Sequence, residues 1–218
     1  MRKKPLQSRS RQMVDTLVEA TAQTIAELGL SAATTNHIAE RAGVSVGSLY
    51  QYFDGKESLV HALLDRISAE LAQLVDRRLD ATMDQDVRIV TIDLLTAVFD
   101  FMEQDQSCYL ELVRNWQQLR SQRTILALER HMLEACRQYL LRHHDEFHVR
   151  NLPAALFVVI SSTLYTIVHY LSQPRPYLQR KEVIDSLADM ISSYLRAGAK
   201  PQARQAGVRR RKPGPLKN

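Results

Sequence analysis

The sequence predicts an all-α protein, and three observations carry that expectation. Gly and Pro number only seven each in 218 residues, too few for a loop-rich all-β chain. Apolar residues recur three and four apart along most of the chain, which marks one face of a helix rather than the alternation of a strand. The breaks between these runs are few and sharp: Gly29, Gly43, Asp54-Gly55 and Gln173-Pro174-Arg175-Pro176. With 45% hydrophobic and 24% charged residues, the chain can bury one good-sized core or two small ones.

A first helix is expected over 10–28, where Val14, Leu17, Val18, Ala22, Ile25 and Leu28 share a face and Gly29 follows as a C-cap. A short second helix fits 35–42, with Thr34 as N-cap and Gly43 as its end. Ser45 caps a third helix, and Val44 before it can pack on Leu49 as a hydrophobic staple. Asp54 and Glu57 have the spacing of a capping box for a fourth helix from Lys56 to about Leu79. Further helical periodicity covers 87–102, 108–119, 124–141, 152–172 and 181–196. Pro153 falls in the first turn of its helix, where its missing N–H costs nothing. Beyond Gly198 the apolar periodicity stops, as expected of a disordered tail.

Charge is concentrated at the ends. Residues 1–11 carry +5 and residues 196–218 carry +8 against +5 for the whole chain, which leaves the body at −8. Basic ends suit a polyanion, since each cation that neutralises a phosphate releases counterions; the C-terminal stretch could equally serve only as a solvated tail. No signal peptide is expected. The apolar run 156–171 is interrupted by Ser161, Ser162, Thr163, Thr166 and His169, which favours a buried helix over a bilayer span. Cys108 and Cys136 fit reduced thiols in a cytoplasmic protein. Cys108 reads as a buried thiol rather than a redox sensor. His143, His144 and His148 read as a solvated helix end rather than a metal site. No cofactor is expected, and no Gly-rich phosphate loop, nucleophile motif or carboxylate pair points to an enzyme.

The segment 34–56 carries the strongest functional signal. Two short helices joined by a glycine turn have the geometry that sets a second helix in the DNA major groove. Ile38, Val44, Leu49 and Phe53 supply a small core, and Val46, Gly47, Ser48, Gln51 and Tyr52 are left on the outer face. The run from Thr34 through Ile38, Ala39, Ala42, Gly43, Val44, Ser45, Gly47, Leu49, Tyr50, Tyr52 and Phe53, followed by Lys56, Glu57, Ser58 and Leu59, resembles the DNA-binding domain of TetR-type (TetR/AcrR) transcriptional regulators. The resemblance covers about 10–64. It implies that Thr35 contacts a phosphate and that Ser45, Val46, Gly47, Ser48 and Gln51 face the groove, with Gln51 the candidate base contact. Tyr50 and Tyr52 would meet the backbone through their hydroxyls, and Lys56 would pair with a phosphate. Tyr50 could instead pack on the first helix. Val46 could touch a thymine methyl or simply cover the helix start.

The resemblance also implies an organisation: a basic arm over 1–9, the DNA-binding domain over 10–64, a helical effector-binding and dimerisation domain over 65–197, and a basic tail over 198–218. The helices near 152–172 and 181–196 would join their copies in a homodimer. Phe99, Met102, Cys108, Tyr109, Trp116, Phe157, Tyr165 and His169 are the candidate pocket residues for a small, hydrophobic effector, each of them also suited to plain core packing. The expected protein is a dimeric cytoplasmic repressor that leaves a palindromic double-stranded DNA operator when a small molecule binds. The alternative keeps the DNA and gives the C-terminal domain a protein partner instead.

Overall fold

A computed structural model of the chain describes residues 4–104, 108–115, 119, 123–147, 149 and 151–197. Among the described residues there is no strand, and the helices are α1 (Lys4–Leu28), α2 (Thr35–Arg41), α3 (Val46–Leu49), α4 (Lys56–Thr82), α5 (Val87–Gln104), α6 (Cys108–Arg114), α7 (Arg123–Arg142), α8 (Leu152–Ser172) and α9 (Arg180–Ala197). The all-α architecture is therefore as the periodicity predicts.

Local chemistry sets the ends of the first elements. Gly29 has φ +81° and its N–H reaches the Ile25 carbonyl, closing α1 with a left-handed cap that glycine adopts without a Cβ penalty. Thr34 Oγ1 accepts from His37 N at 3.3 Å and Ser45 Oγ from Ser48 N at 3.1 Å, so both expected N-caps form. Gly43, at φ +68°, makes the bend between α2 and α3.

Several boundaries differ from the sequence expectation; the helix expected over 108–119 stops at Arg114, with Asn115 in a turn, and three further differences lie in α1 and α4. Helix α1 begins at Lys4 rather than Ser10, so most of the basic arm continues the helix. Nothing in Lys4–Arg9 breaks a helix, because Pro5 falls in the first turn, where it needs no N–H partner. Helix α4 is capped at Gly55, whose N–H donates to Ser58 Oγ at 3.2 Å; the cap sits one residue beyond the expected Asp54–Glu57 box. It then runs unbroken to Thr82, through the domain boundary expected at residue 64.

The buried side chains form connected layers. Leu17, Ala20, Ile38, Ala39, Leu49 and Leu59 make the core of α1–α3 with the start of α4. Behind it, Val18, Ala22, Ile25 and Leu30 join Val60, Leu63 and Ile67 of α4 and Cys108 and Leu112 of α6. One apolar layer thus belongs to both halves of the chain. The Glu111 carboxylate of α6 strengthens that junction, its Oε1 accepting from Leu30 N at 3.0 Å and from Asn115 Nδ2 at 3.1 Å.

The body packs α4, α5, α7, α8 and α9 around Val75, Leu79, Val87, Val90, Tyr139, Leu140, Leu156 and Ile191. A neighbouring cluster holds Phe99, Leu95, Val113, Ile167 and Leu187. Arg180, at the start of α9, fixes that helix to α5. It donates to Glu103 Oε2 at 2.9 Å, Asp100 Oδ1 at 2.5 Å and the Thr96 carbonyl at 3.0 Å, with its guanidinium carbon 5.4 Å from the Phe99 ring centre.

Helix α8 is long and apolar enough, by length and composition, to cross a membrane, whereas the run 156–171 alone is too short and too polar. Counting from Leu152 rather than Leu156 supplies the missing length. Three of its hydroxyls are handled as in any helix: Ser162, Thr166 and Ser172 bond back to the carbonyls four residues earlier. Ala155, Leu156, Ile167 and Leu171 are buried in the body.

Candidate DNA-reading face and effector cavity

Helix α3 has four residues, too few to hold together unaided, and its shape is imposed from both ends. Ser45 caps its start, and Leu49, fully buried, anchors it on Leu17, Ile38 and Leu59. After Leu49 the chain turns tightly, with Tyr52 N and Phe53 N both donating to the Leu49 carbonyl. Tyr50, Gln51 and Tyr52 consequently lie on turn backbone rather than on an extended helix, and all three are exposed. Tyr50 is 52% exposed, and its hydroxyl lies 3.4 Å from Thr35 Oγ1 at the start of α2. Two of the residues expected to meet the DNA backbone, Thr35 and Tyr50, are thus adjacent.

Ser45 and Gly47 are exposed, and Val46 and Ser48 are half-buried. The Ser45 and Ser48 hydroxyls lie 2.9 Å apart, so much of their bonding capacity goes to each other and to the cap. A Cβ on Gly47 would meet only Ser45 Oγ, at 3.9 Å, which leaves the backbone there open to close approach. Lys56 Nζ reaches back to the Ser31 carbonyl at 3.3 Å, placing its charge beside the loop that precedes α2. Eight of the nine DNA-facing candidates therefore fall within α2, α3 and the turns around them, and the ninth, Lys56, opens α4.

The body holds a partly open cavity of about 170 Å³ between α4, α5, α7, α8 and α9. Its lining is mostly aliphatic: Leu71, Val75 and Leu79 from α4, Leu128, Met132 and Cys136 from α7, with Val90, Leu94 and Val98 opposite. None of the described candidate pocket residues lines it. Phe99 is fully buried against the Tyr170 ring, and Met102 packs on the same cluster. Cys108 is fully buried in the layer shared with α1, with Tyr109 packed against that layer. Phe157, Tyr165 and His169 point outward from α8, Phe157 being 64% and Tyr165 67% exposed, with the Tyr165 and His169 rings stacked. Trp116 lies outside the described residues, as does His148 of the histidine trio.

The residues that do line the cavity carried a signal that the choice of aromatic and sulfur side chains passed over. Leu71, Val75 and Leu79, like Leu128, Met132 and Cys136, are four apart and form straight stripes along their helices. Polar groups in the lining are few and largely satisfied. Thr91 Oγ1 bonds to the Val87 carbonyl at 2.7 Å and Tyr139 Oη to the Gln85 carbonyl at 2.7 Å. Burial pushes the Cys136 thiol up to about 11. Burial first, then the charges of Glu146 and Asp86, push the Tyr139 phenol up to about 12, so both groups are neutral in physiological conditions.

Comparison with known proteins agrees with this geometry. Residues 17–63 match the family model described as bacterial regulatory proteins, tetR family. HTH-type transcriptional regulator BetI 1 of Chromohalobacter salexigens is 44% identical over 62 residues, 28% of this chain and 31% of that protein. HTH-type transcriptional activator FasR of Mycolicibacterium smegmatis is 35% identical over 99 residues, 45% of this chain and 44% of that protein. The chain thus spans about a third to a half of the length of these curated relatives. A tetR-family regulator structure from Mesorhizobium loti superposes with a TM-score of 0.67 at 13% identity, covering 87% of this chain and 98% of that one. The fatty acid degradation regulator FadR of Bacillus halodurans gives 0.63 at 19% identity, covering 90% and 99%. The fold extends over the whole body, whereas close sequence likeness is concentrated in the helix-turn-helix. Residues 17–63 thus carry the N-terminal module of the tetR family, and the fold of the chain is that of solved TetR-type regulators.

Proposed function

We propose that the protein is a homodimeric transcriptional repressor that grips a palindromic operator and releases it when a small apolar molecule enters the body. The observation that carries the DNA reading is the surface of α3 and its following turn. There Gly47, Tyr50, Gln51 and Tyr52 stand exposed on a segment locked from beneath by Leu49. A buried anchor under exposed hydrogen-bonding side chains presents a rigid reading edge to a groove.

Dimerisation is supported by the outer faces of α8 and α9. Phe157, Ser161, Tyr165 and His169 recur every four residues along exposed α8, while Met190 and Tyr194 stand exposed on α9. A second copy packed there would bury them and pair the two reading edges for a two-fold site. The effector reading is supported by the cavity, and the cytoplasmic assignment follows from the DNA partner.

The test is footprinting on DNA around the chain's own gene, with Gln51→Ala alongside. A symmetric protected site is expected, with Gln51→Ala weakening it by about 1–3 kcal/mol and relaxing preference at one base pair per half-site. Protection without symmetry, or none, would remove the operator reading. Tyr165→Glu is expected to shift native mass spectra from dimer to monomer. A dimer that survives it would move the interface elsewhere.

A further inference from the structure

Three hydroxyls of α8 share one habit, and a buried fourth does not follow it. Ser162, Thr166 and Ser172 each bond back to the carbonyl four residues earlier, the usual resting place of a helical hydroxyl. Thr163 does not: its Oγ1 is shut away from solvent with no hydrogen-bond partner among the described residues, and the residue lines the cavity. A buried hydroxyl without a partner forfeits its hydration for nothing. In a helix, threonine has two accessible χ1 rotamers, and exchange between them swaps the places of its hydroxyl and methyl.

The other polar groups of the lining are occupied or neutral, as described above, and the charged residue among them is Glu129. There is no Lys, Arg or His among the described lining residues. An anion placed here would lose its water, find no cation and meet a carboxylate of its own sign. An ammonium would exchange its whole hydration shell for Glu129 alone. The size of the space is also restrictive, because an engineered apolar cavity of roughly 150 Å³ is known to take benzene.

We propose that the cavity takes a small uncharged ligand, about one ring in size, whose single hydrogen-bonding group is met by Thr163. This rests on the reading of the cavity as the effector site and names the class of molecule that would enter it. The apolar body of the ligand fills the aliphatic stripes of α4 and α7, and its polar end supplies the partner that the hydroxyl of α8 lacks.

Four probes of one size separate the possibilities in calorimetric titrations of the intact protein: benzyl alcohol, toluene, benzoate and benzylamine. Benzyl alcohol is expected to bind most tightly, with toluene weaker and both charged probes weaker still. Thr163→Val keeps the shape and removes the hydroxyl, so it should weaken benzyl alcohol about 5–10-fold, the worth of one hydrogen bond, and leave toluene unchanged. Thermal unfolding of Thr163→Val without probe checks its fold, and an unchanged toluene affinity checks its cavity. If the neutral probes bind but Thr163→Val does not alter the alcohol, or if either charged probe equals it, the ligand class is wrong while the effector site stands. If none of the four binds the native protein, the effector reading and this inference fall together.

Discussion

Glu111 is the residue whose loss should be felt furthest from where it sits. It belongs to α6, yet its Oε1 accepts the N–H of Leu30 at 3.0 Å, just beyond the glycine that ends α1. Leu30 is 7% exposed, so water cannot readily replace that acceptor. Glu111→Ala therefore leaves a buried backbone donor unsatisfied, a cost of about 1–3 kcal/mol. Asn115 adds little to the loss, because its Nδ2 keeps a 2.8 Å bond to the Glu111 carbonyl. Glu111→Gln retains an oxygen acceptor and forfeits only the charge assistance, which puts it below about 1 kcal/mol. The expected outcome in urea unfolding followed by circular dichroism is native above Gln above Ala, with Ala lower by about 2 kcal/mol, or a factor near 30 in the folding equilibrium. Operator affinity should fall in the same order, since the bond fixes the turn leading into α2. Alanine and glutamine variants of equal stability would refute the argument, because it rests on an acceptor being present in one and absent in the other.

Other expectations follow from single contacts. Leu49→Ala removes the buried anchor of a four-residue helix and should cost about 2–5 kcal/mol, read as a lower urea midpoint and loss of operator binding. Gly43→Ala has open space for its Cβ but must hold φ +68°, so backbone strain alone should cost about 1–2 kcal/mol in the same assay. Lys56→Ala should weaken binding to all DNA sequences alike and lower the slope of log affinity against log salt by about one. His143 should make stability depend on pH. Its Nδ1 faces Glu146 Oε1 at 3.0 Å and its Nε2 the Met83 carbonyl at 2.6 Å, so both nitrogens need protons. Those two acceptors, Glu146 foremost, raise its pKa above the ordinary 6.5 against the smaller opposing effects of burial and Arg142. The stabilisation is complete below about 6.5, the unfolded value, and is lost as pH rises through the higher folded value. The stability gap between native protein and His143→Gln should accordingly shrink on going to alkaline pH, and a gap that widened would contradict the assignment.

How much was legible in the sequence follows from how local each determinant is. Thr34, Gly43 and Ser45 act on backbone within three residues of themselves, and Leu49 needs only the helices on either side. The reading face could therefore be named residue by residue. The cavity depends on which stripe of α7 turns toward α4, and that is decided by packing between segments some sixty residues apart. Leu128, Met132 and Cys136 show the period but not the destination. Phe157 and Tyr165 illustrate the converse: α8 is apolar nearly all round, so its sequence does not say which face the body covers, and these two rings proved to be outside. The early start of α1 escaped because polar, basic residues carry no apolar period even when helical.

The unbroken run of α4 sets a mechanical ratio. At 1.5 Å per residue its 27 residues make a rod of roughly 40 Å, with Leu59 and Leu63 seated in the DNA-binding module and Val75 and Leu79 in the cavity wall. About 24 Å of stiff helix separates Leu59 from Val75. A pivot near the middle would make any outward push at the wall return as an opposite swing of comparable size at the head, with no flexible joint in α4 to absorb it. In the proposed dimer two such swings would add, so a small displacement inside each body would change the span between the two reading edges.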